Sequence, residues 1–441
     1  MAADWQETSL ASIIDVKHGF AFPGENIRDE PPGDILLTPG NFAIGGGFKG
    51  DKFKYFDGEV PGDYVLNEGD LVVTMTDLSK RADTLGYPAL VPKPNGTRFL
   101  HNQRLGKVLI KRGTELDKRF LFYLLRTDEY RHEVLASATG TTVRHTSPGR
   151  ILAHKASIPP LVEQKAIAAV LGALDDKIES NRRMNATLEA MARALFQSWF
   201  VNFDPVCAKL DGRKLVGLDD ATAAFFPEHL EDSTLGHIPQ GWKVTTLGDT
   251  CQSIFSGGTP STQASSYWGG TIPWLSSGET RSTFIIETEK TITKAGVENS
   301  STRLARAGCT VIAGAGQGHT RGQTSLLTFD SYINQSVVVL AANENVSSDL
   351  FLFFDLARRY DEFRQLSDSH SSRGSLTTKL LAGVKCVLPP HDLVVAFDRA
   401  VQPIAAQIIA NLRQSRTLAI LRDALLPKLL SGELRTTSDH T

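Results

Sequence analysis

Two polar loops carry residue types able to grip a phosphate backbone and read base edges. "ATGTTVRHTSPGR" occupies residues 138 to 150, and "SDSHSSRGSLTTK" occupies 367 to 379. Gly, Ser and Thr let backbone amides approach phosphates closely, while Arg144, His145, His370 and Arg373 carry donors long enough to reach a groove. The same residues also suit ordinary solvated turns. Asn102-Gln103 and Asn334-Gln335 have amides that can pair with adenine, yet they recur in both halves of the chain. Two halves reading different sequences should differ at base contacts, so a structural role is expected for these pairs.

Other constellations point to catalysis and fall short. "TVIAGAGQGHT" sets Gly314, Gly316 and Gly318 after a short apolar strand, mimicking the glycine loop of an S-adenosylmethionine-dependent methyltransferase, and Asp330 ends the next apolar run. Such a loop must open a helix whose N-terminus faces the ligand, whereas Gly322 and the neighbouring threonines favour extended chain. Phe203-Asp204-Pro205-Val206 does not supply an Asp/Asn-Pro-Pro-aromatic motif, and no G-x-x-x-x-G-K-[ST] phosphate loop occurs. His18, His101 and His319 lack a paired carboxylate or nucleophile. Cys207, Cys251, Cys309 and Cys386 are far apart, without metal-ligand spacing, and read as reduced structural residues. No catalytic residue and no metal site are assigned.

The elements that would position the loops follow from length and pattern. At 441 residues, with 41% hydrophobic and 22% charged residues, the chain suits two or three folded domains. No signal pattern and no apolar run near membrane-spanning length is apparent, so a cytoplasmic protein without membrane contact is expected. The net charge of -2 excludes binding nucleic acid by bulk charge. Local balance differs: Lys93 to Lys155 holds 13 Lys or Arg against 5 Asp or Glu, and no acid lies between Glu298 and Asp330.

Residues 158 to 200 contain no Gly or Pro after Gly172, and Leu171, Leu174, Ile178, Asn181, Asn185, Leu188, Ala192, Leu195 and Trp199 alternate spacings of 3 and 4. This heptad seam predicts one helix, on the order of 60 Å long, that needs a partner. A shift of 230 positions supplies it: Val401, Ile404, Ile408, Asn411, Ser415, Leu418, Arg422, Leu425 and Leu429 form the second seam. Asn181, Asn185, Asn411 and Ser415 either fix the register as buried polar pairs or face water. The repeat extends upstream, where "HNQRLGKVLI" matches "YINQSVVVLA" and "RFLFYLLRTDEYRHEV" resembles "LFLFFDLARRYDEFRQL". Each half reads as a mixed α/β globule followed by a long helix.

"PPLVEQKAIAAVLGALDDKIESNRRMNATLEAMARALFQSWFVNFDPV" closely resembles the central conserved region of specificity subunits of type I restriction-modification enzymes. "LRDALLPKLLSGELR" resembles their C-terminal region, and "IPQGWKVTTLGDTCQSIFSGGTPST" looks like the start of a second target recognition domain. The second helical region departs from the first, with Leu393-Val394 where Glu163-Gln164 stands. The resemblance implies an α+β fold with a pseudo-two-fold internal repeat, in which two target recognition domains are separated by two long antiparallel helices forming a coiled coil. The expected boundaries are 1–160 and 239–390 for the recognition domains, 161–202 and 391–432 for the helices, 203–238 for a connector and 433–441 for a tail.

The resemblance further implies a non-catalytic subunit that binds double-stranded DNA and bridges two methyltransferase (modification) subunits, joined by two restriction (translocase-nuclease) subunits. Each recognition domain would read half of a split target, with the helices setting the spacer. The chain would hold no cofactor. S-adenosylmethionine, ATP and magnesium would sit on the partners, which methylate adenine at N6 and cleave unmethylated DNA. Candidate DNA contacts are Lys80, Arg81, Arg104, Thr141, Thr142, Arg144, His145, Ser256, Thr259, Arg303, His319, Arg321, Ser372 and Arg373. Phe196, Phe200 and Phe203 are candidates for holding the methyltransferases, with burial in the chain's own globules as the alternative. A coiled-coil adaptor without DNA binding is the competing function, and a methyltransferase the less favoured one.

Overall fold

The seam residues fold as the spacing dictates. In the computed structural model, which describes residues 5–79, 81–316, 319–370 and 374–436, the uninterrupted segment forms one helix, Leu161–Phe200. Its repeat forms another of equal length, His391–Leu430, which runs through Pro403 and Pro427 with both prolines on the exposed face. The chain divides into two compact units, residues 1–178 with 416–441, and residues 179–415. Each helix therefore contributes one end to each unit.

Within each unit the two helices pair antiparallel. In the second unit Asn411 Nδ2 donates to Asn185 Oδ1 at 2.8 Å, and Asn185 Nδ2 donates to the Ile408 carbonyl at 3.2 Å. Asn181 Nδ2 donates to Gln414 Oε1 at 2.9 Å and to Ser415 Oγ at 3.2 Å. Asn181, Asn185 and Asn411 are all buried, so these seam amides pair with each other's helix rather than with water. In the first unit Leu171 is buried against Leu426, Leu429 and Leu430. Every residue of both seams is buried or half-buried, including Leu174, Ile178, Leu188, Leu195, Ile404, Leu418 and Leu425.

The C-terminal helix corrects one expectation. By length and composition it is the one helix among the described residues able to cross a bilayer. Leu393, Val394, Phe397, Val401 and Ile408 are nevertheless fully buried in the second unit's core, while Val395, Ile420 and Leu421 stay exposed.

The globules repeat the same strand wiring. Gln6–Ser9 pairs antiparallel with Lys155–Ile158, and Lys243–Thr246 with Lys385–Leu388, closing each globule beside its long helix. In the first unit Ile14–His18, Leu105–Ile110, Leu71–Thr74 and Pro88–Leu90 form one sheet in that order. Cys251–Ser256, Val337–Ala342, Thr310–Ala313 and Thr324–Leu327 repeat that order in the second unit, with Phe284–Ile285 added at the edge. A second sheet in each contains a single parallel pair, Asp34–Leu37 with Phe99–His101 and Trp268–Leu275 with Ser331–Ile333. The central strands Leu71–Thr74 and Thr310–Ala313 are buried along their whole length, which explains their continuous apolar character.

The two globules grip their helices by different chemistry. In the first, Asp175 of the central helix accepts Tyr123 Oη at 2.7 Å, Arg126 Nη1 at 3.1 Å and, from the C-terminal helix, Arg422 Nη1 at 2.6 Å. Burial pushes the Asp175 carboxyl upward, but Arg126, Arg422 and Tyr123 outweigh it and hold the group below its ordinary range. At the start of the central helix, Glu163 Oε2 accepts Trp5 Nε1 at 3.1 Å and Arg435 Nη1 at 3.3 Å. Gln164 accepts the Asp117 amide at 2.8 Å and donates to the carbonyls of Glu115 and Pro159.

The corresponding positions of the second unit are apolar: Ala405 for Asp175, Phe354 for Tyr123, and Leu393-Val394 for Glu163-Gln164. There an aromatic cluster does the holding. Phe196 lies 5.4 Å from Phe351 and from Phe397, and Phe200 lies 5.0 Å from Phe351. Phe196 and Phe200 are buried and Phe203 packs half-buried on Trp242, so all three belong to this chain's own core rather than to a methyltransferase-docking surface.

Two stability predictions follow from these contacts. Asn411→Leu strands the buried Asn185 Oδ1 acceptor and should destabilise the second unit by about 1–3 kcal/mol, while Asn185→Leu with Asn411→Leu should cost less than the two single changes summed. Urea unfolding of the three variants measures this coupling, and purely additive losses would show that the amides do not act together.

The second concerns His101, which is fully buried with Nε2 on the Leu105 carbonyl at 3.0 Å, and whose pKa burial lowers from 6.5 to about 4. The folded form thus binds fewer protons. Its contribution is intact above about pH 6.5 and is lost, to roughly 3 kcal/mol, as pH falls toward about 4. His101→Gln, which keeps a donor for Leu105, should flatten the pH dependence of stability across that window.

Candidate nucleic-acid interface

The chain leaves the buried strand Leu71–Thr74 at Met75, and two backbone bonds tie that exit point. Met75 N donates to the Arg104 carbonyl at 2.8 Å, and Thr146 N donates to the Met75 carbonyl at 3.0 Å. Thr76–Asp77 then pairs antiparallel with Arg144–His145, and His145 closes a hairpin onto Thr139. The hairpin tip turns at Gly140, with φ of +91°, where an added Cβ would lie 2.0 Å from the Val143 carbonyl oxygen. Arg81, Arg104, Thr141, Thr142 and His145 are exposed here, and Arg144 is half-buried. Six residues singled out in the sequence therefore converge on one ribbon.

The ribbon is held rigidly from below. The buried Asp77 carboxylate accepts the Ser79 amide at 2.6 Å and the Thr84 hydroxyl at 2.7 Å, together with the Thr84 amide. Burial opposes its ionisation, yet these donors keep its pKa below the ordinary value. The Arg131 guanidinium sits 4.3 Å over the Tyr87 ring and donates to the Ala82 carbonyl. Sequence reasoning missed Asp77; the run Asp77-Leu78-Ser79, an Asx turn in the making, is the signal it carried.

The second unit ties the same exit point in the same way. Gly314 N donates to the Ser336 carbonyl at 2.8 Å, and Leu376 N donates to the Gly314 carbonyl at 2.7 Å. The repeated Asn residues cap the intervening turns: Asn102 Oδ1 accepts Arg104 N and Asn334 Oδ1 accepts Ser336 N, each at 3.0 Å. Thr259 Oγ1 donates to Gln335 Oε1, the Gly257 amide donates to the Asn334 carbonyl, and the Arg303 guanidinium lies 4.1 Å over Phe255. Ser256, Thr259 and Arg303 thus gather around the Asn334–Gln335 turn. His319 is exposed in the adjoining loop, its carbonyl accepting Tyr360 Oη at 2.9 Å.

Arg321 requires a correction. It is buried, donates to the Gly374 carbonyl at 3.1 Å and pairs with Asp368, so it clamps the two loops of the second unit together instead of reaching outward. Lys80, Ser372 and Arg373 lie outside the described residues, as does the side chain of His370. The local excess of cations is also partly consumed: Arg98 pairs with Asp34, Lys107 with Asp70, Arg119 with Asp176, Arg126 with Asp175 and Arg306 with Asp330.

After Thr310–Ala313 the described chain forms turns and enters Thr324–Leu327 without a helix, so Gly314 and Gly316 do not open one as the mimicked cofactor loop would. Among the described residues, no group of three or more His, Cys, Asp or Glu side chains is placed to hold a metal ion.

Comparison with known proteins bears on this architecture. Residues 2–190 and 239–413 match the type I restriction modification DNA specificity domain. The chain is 27% identical to the type I restriction enzyme HindI specificity subunit of Haemophilus influenzae, across 98% of this chain and all of that protein. It is 25% identical to the MjaIX specificity subunit of Methanocaldococcus jannaschii, across 81% of this chain and 77% of the other. The crystal structure of the type I restriction-modification system S subunit from M. genitalium shares the fold, with a TM-score of 0.57 at 16% identity over 98% of this chain and 97% of that one. With two matches to that domain together covering most of its length, each on the same strand wiring, the chain belongs to the family of type I restriction-modification specificity subunits.

Proposed function

We propose that this subunit reads a bipartite DNA target, the first recognition domain taking one half-site and the second the other, and that it bridges two methyltransferase subunits. The observation carrying this reading is the loop pair built twice at the same exit point of the same sheet, with different side chains displayed each time. Arg81, Arg104, Thr141, Thr142 and His145 furnish one half, and Ser256, Thr259, Arg303 and His319 the other. Cations and hydroxyls on glycine-bearing loops suit phosphate positioning and groove contacts, and the difference between halves suits a target whose parts differ.

The chemistry belongs to partners: methyltransferase subunits that use S-adenosylmethionine to modify adenine at N6, and two restriction subunits that use ATP and magnesium to cleave unmethylated DNA. The assembly works in the cytoplasm. A coiled-coil adaptor has no use for a loop pair built twice on one plan with different polar side chains.

Methylation of a randomised duplex library by this chain with its methyltransferase partner should enrich one split sequence, and uniform methylation would sink the proposal. On the enriched target, Arg81→Ala and Arg104→Ala should each weaken binding and lower the slope of log affinity against log salt by about one, without changing the sequence selected.

A further inference from the structure

We propose that Leu78 is an apolar wedge that enters the base stack of the half-site facing the first domain; this rests on the DNA-reading function above. Leu78 is 60% exposed and belongs to none of the apolar clusters of the described residues. It follows directly on the Thr76–Asp77 strand of the ribbon, whose neighbouring hairpin displays Thr141 and Thr142. An exposed leucine is common on a surface, but this one is mounted on a fixed support. Asp77 before it is buried and takes three donors, and Ser79 after it gives its amide to Asp77 while its hydroxyl accepts the Asp83 amide at 2.8 Å.

Its surroundings select the partner. Arg81 is exposed and Arg144 half-buried on the same ribbon, while the acids of the segment are Asp77, fully occupied, and Asp83, half-buried. A protein surface would be expected to meet a broader apolar patch, whereas DNA-binding proteins insert single apolar side chains between base steps while cations hold the flanking phosphates. A rigid mount matters because the cost of unstacking is met only if the inserted side chain loses little freedom of its own. The second domain has Ala315 and Gly316 after its own exit strand and Gln317 at the corresponding sequence position, so the wedge is confined to one half-site.

The experiment uses the complex of this chain with its methyltransferase partner and the target enriched from the library, with 2-aminopurine placed in turn along both half-sites. Beyond the rise expected at the adenines flipped out for methylation, the intact complex should raise fluorescence at one further step in one half-site. Leu78→Ala should abolish that rise and weaken specific binding about tenfold. Non-specific binding, salt slope and thermal unfolding should stay unchanged, and Leu78→Met should retain the signal. A Leu78→Ala complex with undiminished fluorescence and affinity overturns the wedge while leaving the DNA-reading function standing. Loss of the methyltransferase partner with the DNA signal intact also overturns it, making Leu78 a protein contact. An intact complex without any sequence preference removes the reading function and the wedge with it.

Discussion

The antiparallel pairing of Leu161–Phe200 with His391–Leu430 is the constraint on which the remainder depends. Neither helix is a good structure alone, because its apolar stripe needs a second surface. The aliphatic seam positions supply attraction with little sense of register. Asn181, Asn185, Asn411 and Ser415 supply the register, since a shift of one turn would leave buried amides without partners. Fixing that register also fixes which globule residues meet which helix, as the Asp175 cluster and the aromatic cluster both take members from a globule and from both helices.

Internal duplication has preserved topology more strictly than chemistry. The backbone bonds at Met75 and Gly314 are the same, as are the caps by Asn102 and Asn334. The supports beneath the loops are not: the first unit uses the Asp77 carboxylate, and the second uses the Arg321 guanidinium bound to Asp368 and Gly374. An anion in one half and a cation in the other do the same work of tying a loop to its base. The scaffold dictates where the loops emerge and leaves open how they are fastened.

Legibility in the sequence followed the range of the interactions. The long helices were readable because their signal is local, a spacing of 3 and 4 with no Gly or Pro after Gly172 in the first and strong enough to survive Pro403 and Pro427 in the second. The repeat was readable because 230 residues separate equivalent positions with no gap through the helices. The loop cluster was only half readable. Each loop could be nominated from Gly, Thr and Arg content, but the pairing of Thr76–Asp77 with Arg144–His145 joins segments far apart in sequence. Arg321 was misassigned, and Phe196 left between two readings, for one reason: an arginine in a polar loop and a phenylalanine on a helix look available until Asp368, Phe351 and Phe397 arrive from elsewhere.

The contrast between the polar grip of the first globule and the aromatic grip of the second has a thermal consequence. A carboxylate held by two guanidiniums and a phenol loosens only when acid below its ordinary range neutralises it, whereas rings packed edge-on and tilted cohere by excluding water, an attraction that weakens on chilling. Strong acid thus slackens the first joint and cold the second.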